Sequence, residues 1–300
     1  MAIVPYFGQV SYNDIRSQFG SPSNFNLQSA YNGTYGGFNA YSYIQPTEPG
    51  GANYSPNQWY GYVGDYIYSP NLITAWDAWP TIGSYPGFGT SIIDVSGDFP
   101  PHDGNLYAGT TWSPLNGGYW VFDGTDDRIA SIGGQTYYSF TNEITVDFWV
   151  KWDVNTFINW GQGCGQGEIY NYDAPFANMW LMHGNQGNTV TFYVFNGANS
   201  SIAAGTTPTL TMGQWYNITG TMNAGGSSMY LNGTLVGTGG GLGGGNMVTN
   251  PNAVVYLGGD VRYDFRFMNG AIAAIHVYNT ALTAGQVSQN FNALRGRFGI

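Results

Sequence analysis

In "EITVDFWVKWD", residues 143–153, Ile144, Val146, Phe148, Val150 and Trp152 fall on one side of an extended chain. Glu143, Thr145, Asp147 and Lys151 fall on the other, with Trp149 among them. A period of two predicts a β-strand. Further along, "TVTFYVFNG" (189–197) sets Val190, Phe192 and Val194 against Tyr193 and Phe195, so both of its faces are apolar. Such a strand is buried on both sides or covered by something aromatic. "SSMYLNGTLVG" (227–237) carries Asn232-Gly233 between two short runs, a strong hairpin signal. "AVVYLGG" (253–259) and "GAIAAIHVYN" (270–279) complete the strand set. "TAGQVSQNFNAL" (283–294) predicts one short C-terminal helix. Thr283 and Gln286 have capping-box spacing, and Val287, Phe291 and Leu294 form a stripe. Many short strands with Gly/Asn turns, one late helix and no repeat period predict an all-β, antiparallel sandwich.

Composition narrows the function classes. The chain has 300 residues, 43% hydrophobic and 17% aromatic, with 24 Tyr and 46 Gly. Only 8% are charged, against about 25% in an average soluble protein. Aromatic burial can offset the entropy of ordering such a chain. Its net charge is −10, with seven basic residues. That balance excludes a basic nucleic-acid face and disfavours an anionic membrane surface. A single cysteine, Cys164, permits neither an internal disulfide nor a thiolate metal site. "MAIVPYFGQV" (1–10) lacks a basic n-region, and no stretch reaches the roughly 20 apolar residues of a membrane span. The expectation is a soluble protein made in a cytoplasm and not exported by the general secretory route.

Residues 1–70 differ from the remainder. "SYNDIRSQFG" (11–20) has capping-box-like spacing from Ser11 to Asp14, which predicts one short helix in an otherwise irregular, Tyr/Asn/Gly-rich segment. This segment is either a partly ordered arm or an arm that docks on a partner. Residues 71–300 carry the β pattern. "GTGGGLGGG" (237–245) lacks the lysine and the strand-to-helix setting of a phosphate cradle, and is expected to be a flexible hairpin extension.

The order of motifs resembles the laminin G-like, concanavalin A-like jelly-roll domains. "SYPGFGTSIIDVSGD" leads to "GGYWVFDGTDDRIAS", then "ITVDFWVKWD", "LTMGQWYNITGTMNAGGSSMYLNGTLVG", "VVYLGG" and "FMNGAIAAIHVYNTALTAGQVSQNF". The resemblance spans roughly residues 71–292. Its variant looks like that of tailed-bacteriophage virion proteins, through "SYPGFGT", "DVSGD", the closing "NFNALRGRFGI" and the opening "SYNDIRSQFG". It implies a two-sheet jelly roll and a non-enzymatic structural role on the virion, assembled in the host cytoplasm as particle decoration or tail fibre. Partners would be other virion proteins and copies of the chain itself. Ile15, Phe19, Trp59 and Tyr60 in the arm are then the expected assembly contacts.

Two other functions suit the same fold. A carbohydrate-binding adhesin would grip host-surface glycan with exposed loops. The loop expected at "NWGQGCGQGEIYNYDAPFANMW" (159–180) is long, Gly-rich and aromatic-tipped, so Trp160, Tyr170, Tyr172, Asn178 and Trp180 are the candidate glycan-binding residues. Trp152, Trp215 and Tyr193 are further candidate stacking platforms, against a competing place in the core or at a subunit interface. A polysaccharide hydrolase needs paired carboxylates at roughly 5–9.5 Å. Sandwich hydrolases of this kind carry E-x-D-x-x-E on one strand. Here Glu143 and Asp147 lack a third acid, and four residues of strand put them about 13 Å apart. His102, His183 and His276 are dispersed and are expected to be structural.

"YWVFDGTDDRIASI" (119–132) places three aspartates within five residues. The resemblance implies that this stretch packs beside the "DVSG" loop, where some members hold calcium. Asp94, Asp123, Asp126 and Asp127 are therefore candidate ligands of a structural Ca2+ ion. Asp98 and Asp103 lie in "DFPPHDGN", which departs from the family pattern. The alternative is turn chemistry alone: Asp123-Gly124 is a turn pair, Asp126 can accept backbone N–H groups, and Asp127 can pair with Arg128 or a neighbouring strand.

Overall fold

A computed structural model describes residues 67, 70–98, 100–132, 140, 142–153, 162–168, 178–185, 187–196, 201–243, 245–247, 253–259 and 266–300. The helix expected after Ser11 and the assembly residues Ile15, Phe19, Trp59 and Tyr60 lie outside them. The chain divides into one unit of residues 71–287 and another of residues 1–70 with 288–300.

Unit 71–287 is a two-sheet antiparallel sandwich. Its strands are β1 (Leu72–Asp77), β2 (Ser91–Ile92), β3 (Gly104–Tyr107), β4 (Thr111–Ser113), β5 (Tyr119–Asp123), β6 (Arg128–Ser131), β7 (Ile144–Trp152) and β8 (Gln162–Glu168). There follow β9 (Asn178–Asn185), β10 (Thr189–Phe195), β11 (Ser201–Thr206), β12 (Tyr216–Met222), β13 (Ser227–Leu231), β14 (Thr234–Gly239), β15 (Ala253–Leu257) and β16 (Asn269–Tyr278). The first sheet runs β14-β13-β12-β7-β16-β5-β4, with β1 also on β16. The second runs β11-β10-β9-β8-β15-β6-β3-β2. One side of β16 is shared: its start pairs with β5 and its end with β1. Its other side pairs with β7 through a bulge between Ile272 and Ala274.

The apolar stripe of residues 143–153 does what its period predicts. Ile144, Val146, Phe148, Val150 and Trp152 enter one continuous core with Trp120 and Phe122 of β5. The opposite sheet supplies Ile129, Trp180, Met182, Phe192, Val194, Val255 and Leu257 to it. The other side of β7 is a surprise. Thr145, Asp147 and Trp149 are as buried as the core residues, so their polar groups need partners inside the protein.

Asn232-Gly233 forms the expected hairpin between β13 and β14. Both residues are left-handed, at φ 51° and 73°, as a type I′ turn requires. The Asn232 side-chain oxygen accepts the Asn217 N–H at 2.9 Å, pinning the turn to β12. Residues 237–243 are not a loose extension. Leu242 is buried, its N–H donates to Asn223 O at 3.0 Å and that of Gly243 donates to Ala224 O at 2.9 Å. The stretch 159–180 is likewise not one long loop, because Gln162–Glu168 and Asn178–Trp180 belong to β8 and β9. Glycine weakens a strand pattern in sequence, but here it gives clearance: a Cβ on Gly165 would come within 2.4 Å of the Tyr256 hydroxyl.

The C-terminal helix α1 spans Ala284–Phe298. Its capping box is formed as expected. Gln286 Oε1 accepts the Thr283 N–H at 2.8 Å, and Thr283 Oγ1 accepts the Gln286 N–H at 3.4 Å. Val287 and Leu294 are buried, and Arg295 lies over the half-buried Phe291 ring at 5.8 Å. Arg295 and Arg297 in the last turn face the negative end of the helix dipole. Among the described residues no helix is long and apolar enough to cross a membrane.

Candidate functional site

The acids that a hydrolase would use are both engaged. Asp147 points away from the core of the sandwich and is fully buried. Its Oδ1 accepts the Asn217 amide and the Thr219 hydroxyl, each at 2.7 Å. Its Oδ2 accepts the imidazole Nδ1–H of His276 at 3.0 Å. Three adjacent strands, β12, β7 and β16, are cross-linked by one carboxylate. Glu143, immediately before β7, accepts the Thr280 hydroxyl at 2.9 Å and the Ala281 N–H at 3.2 Å with Oε2. Glu143 and Asp147 thus fasten the segment after β16 and the sheet itself, and do not face each other across an open groove.

The four aspartates nominated as one metal site occupy two places. Asp94 does not join the aspartate turn. It is buried, and Oδ1 accepts the N–H groups of Ala75 and Ser96, both at 2.9 Å. Its Oδ2 accepts the His102 N–H at 2.9 Å, and its own N–H donates to Asp103 Oδ1 at 2.9 Å. His102 Nδ1–H in turn donates to Ile73 O at 2.6 Å. The irregular "DFPPHDGN" stretch therefore supplies two of Asp94's partners, His102 and Asp103, and His102 ties that loop to β1. Local hydrogen-bond demand, not a shared ion, explains why Asp94 lies elsewhere.

Asp123, Asp126 and Asp127 do converge, each offering a carboxylate oxygen within 4.8 Å of the others. Asp123 Oδ1 accepts the Thr125 N–H at 2.7 Å, and Asp127 Oδ2 accepts the Asp123 N–H at 2.9 Å. Arg128 leaves the turn and stacks over Tyr107, 5.6 Å from its ring centroid. Calcium takes six to eight oxygens. A calcium ion here would be held by Asp123, Asp126 and Asp127, and the all-oxygen donor set suits a hard cation. Two of these oxygens already close the turn, however, so the turn stands on its own bonds.

Asp127 tests this directly. Burial raises its carboxyl above the usual aspartate range; the Asp123 N–H pulls the other way, and the charges of Asp123 and Asp126 add to the rise. The folded state then holds the proton more tightly than the unfolded one. Stability contributed by this group therefore rises as pH falls through the interval between the ordinary and the raised value. Asp127→Asn keeps an oxygen for the Asp123 N–H and removes the charge. It is expected to leave the melting temperature at pH 7 unchanged or higher, with no effect of calcium or chelator on the parent chain. A fall on chelation, abolished in Asp127→Asn, would place an ion in the turn.

Of the residues nominated for glycan, Trp160, Tyr170 and Tyr172 lie outside the described residues, and Asn178 begins β9. Trp180 is corrected to a core residue. It is fully buried, and its indole N–H donates to Gln166 Oε1 at 2.8 Å, so neither face is open to a sugar. Trp152 is buried as well, whereas Trp215 is only half-buried. Cys164 is fully buried, and burial pushes its thiol well above the ordinary range, which makes it an inert core residue.

A two-sheet antiparallel sandwich with its inner faces packed and its acids tied into the sheets defines a lectin-like jelly roll. Residues 123–288 match the model of the concanavalin A-like lectin/glucanases superfamily, and the chain belongs to that superfamily. No curated protein matches the chain. Among solved structures, the botulinum neurotoxin serotype G binding domain is similar at TM-score 0.52 and 16% identity, over 74% of this chain and 50% of that one. The binding domain of botulinum neurotoxin DC, in complex with SialylT, gives TM-score 0.53 and 14% identity over 75% and 51%. The binding domain of Paraclostridial Mosquitocidal Protein 1 gives 0.52 and 15% over 74% and 52%. The chain spans about half the length of these structures, and the likeness is one of fold.

Proposed function

We propose that this chain is a non-catalytic recognition protein that binds host-surface glycan and is displayed on the exterior of a bacteriophage particle. The observation that carries the first half is the burial of Asp147 under three hydrogen-bond donors, with Glu143 bonded to Thr280 and Ala281. A glycosidase needs two carboxylates flanking the scissile bond, one of them able to give and take a proton there. A superfamily of lectins and glucanases leaves binding once that pair is committed to the fold. The neighbouring binding domains, one of them in complex with SialylT, support the same direction. The likeness of "SYPGFGT", "DVSGD" and "NFNALRGRFGI" to virion proteins supports the particle, with residues 1–70 as the arm that anchors to other virion proteins or to further copies of the chain.

A glycan array probed with the full chain is expected to give saturable binding, and incubation with β-glucans no new reducing ends. Release of reducing ends that disappears in Glu143→Gln would make the protein a hydrolase. Mass spectrometry of purified particles is expected to find the chain; particles that lack it would remove the second half of the proposal.

A further inference from the structure

We infer that β4 and the two loop tips beside it, which carry Phe88 and Leu115, form a contact between two copies of this chain, paired edge to edge about a two-fold axis at Trp112; this contact stands apart from glycan binding. The other ends of the two sheets are closed. β14 and β11 lie against each other, since a Cβ on Gly237 would fall 3.3 Å from Thr206 O. β2 is tied to the loop before it, where the Ile93 N–H donates to Ser84 O at 2.7 Å. On β1, Ala75 O accepts the Val95 N–H at 3.1 Å. β4 differs. Among the described residues it pairs with β5 alone, through Thr111, Trp112 and Ser113, and Thr111 is exposed. The outer edge of such a strand is a template for another chain, and proteins commonly guard it with lysine or other charges. Here residues 78–93 and 104–122 contain no Asp, Glu, Lys, Arg or His.

Two apolar side chains stand beside this edge. Phe88 is 75% exposed and Leu115 64%, more than any other large hydrophobic residue among those described. Leu115 follows β4 by two residues. Phe88 follows Gly87, whose backbone packs so closely on the half-buried Trp112 of β4 that an added Cβ would lie 3.0 Å from the ring. The loop that presents Phe88 is fixed. The Tyr85 hydroxyl donates to Gly89 O at 2.7 Å, and Thr90 O accepts the Leu106 N–H at 2.8 Å. Trp112 is fixed too, its indole N–H donating to Ala78 O at 2.9 Å. An aromatic side chain held out to water on a fixed loop loses little freedom when a partner covers it, which suits an interface anchor.

Charge and symmetry point to a second copy as the occupant. The chain carries −10 overall, so two copies repel each other, least where neither brings a charge to the contact. This patch is such a place. A basic peptide, an anionic lipid or a nucleic acid would find no ion pair in it. A strand that pairs antiparallel with its own copy is two-fold by construction, so that the interface is closed and the same patch serves both partners. With the axis at Trp112, Thr111 of one copy falls opposite Ser113 of the other. A three-residue edge with two apolar side chains on each copy is a small contact, and a dissociation constant of about 1–100 μM is expected.

The test is sedimentation velocity on the full chain across that concentration range, where a monomer–dimer equilibrium is expected. Phe88→Ser and Thr111→Lys should each weaken dimerisation about tenfold or more at an unchanged melting temperature. Leu235→Ser, an equally exposed change on β14, should leave it as it is. Register is read by cross-linking. Under mild oxidation a mixture of Thr111→Cys and Ser113→Cys chains should give disulfide-linked heterodimer well above what either gives alone, and the buried Cys164 does not compete. A chain that stays monomeric throughout, a dimer that survives both Phe88→Ser and Thr111→Lys, or a mixture that cross-links no better than its components overturns the proposal. So does a monomeric chain that floats with phosphatidylcholine vesicles through Phe88, which would make the patch lipid-facing.

Discussion

Replacing Asp147 with alanine is expected to cost about 3–5 kcal/mol of folding stability, the usual result of breaking a buried charged hydrogen-bond network by removing one partner. Asp147 accepts the Asn217 amide, the Thr219 hydroxyl and the ring N–H of His276, all fully buried. Its removal leaves three donors on two strands, β12 and β16, facing a hole, each costing about 1–3 kcal/mol if unsatisfied. Asp147→Asn should fare little better, because its amide hydrogens meet side chains that themselves donate. Urea unfolding measures this as a lower midpoint at unchanged slope. A loss under about 1 kcal/mol would mean that the cluster is wet or optional, and would reopen Asp147 as a working acid.

Gly258→Ala carries the second large effect. Gly258 directly follows β15 at φ +78°, and a Cβ there would fall 2.2 Å from the Phe122 ring. Its backbone cannot drift, because its N–H donates to Gly163 O at 2.9 Å and its O accepts the Met268 N–H at 2.6 Å. Left-handed strain and overpacking each cost about 1–3 kcal/mol, so a loss of about 3 kcal/mol or more is expected. Gly296→Ala is the control. It lies in α1 with nothing within 4 Å of the added carbon, and should gain about 0.5–1 kcal/mol from helix propensity. Equal melting temperatures for the two variants would contradict the packing between Phe122 and the end of β15.

The elements that could be read from the sequence are those whose signal is local. The period of residues 144–152, the Asn232-Gly233 turn and the Thr283/Gln286 box each depend on neighbours a few positions away, and each forms as expected. The superfamily was likewise legible in the order of its motifs. The site was much less so. Asp147 meets partners 70, 72 and 129 residues distant, and no local pattern announces them. Glycines at 163 and 165 look like loop, but they lie in β8, where the rings of Phe148, Trp152 and Tyr256 occupy the space their side chains would fill. Trp180 and Trp215 are equivalent in the sequence, and only the fold makes one core and leaves the other half-buried. The resemblance placed the "DVSG" loop of Asp94 beside the aspartate turn, but the hydrogen bonds from Ala75, Ser96 and His102 hold Asp94 elsewhere.

The most direct measurement of the central claim is a crystal structure of the chain soaked with a neutral β-linked tetrasaccharide. Recognition without catalysis predicts an uncut sugar bound to the chain, with Asp147 still enclosed by Asn217, Thr219 and His276. A shortened sugar lying against Glu143, with Asp147 swung free of its partners, would contradict it.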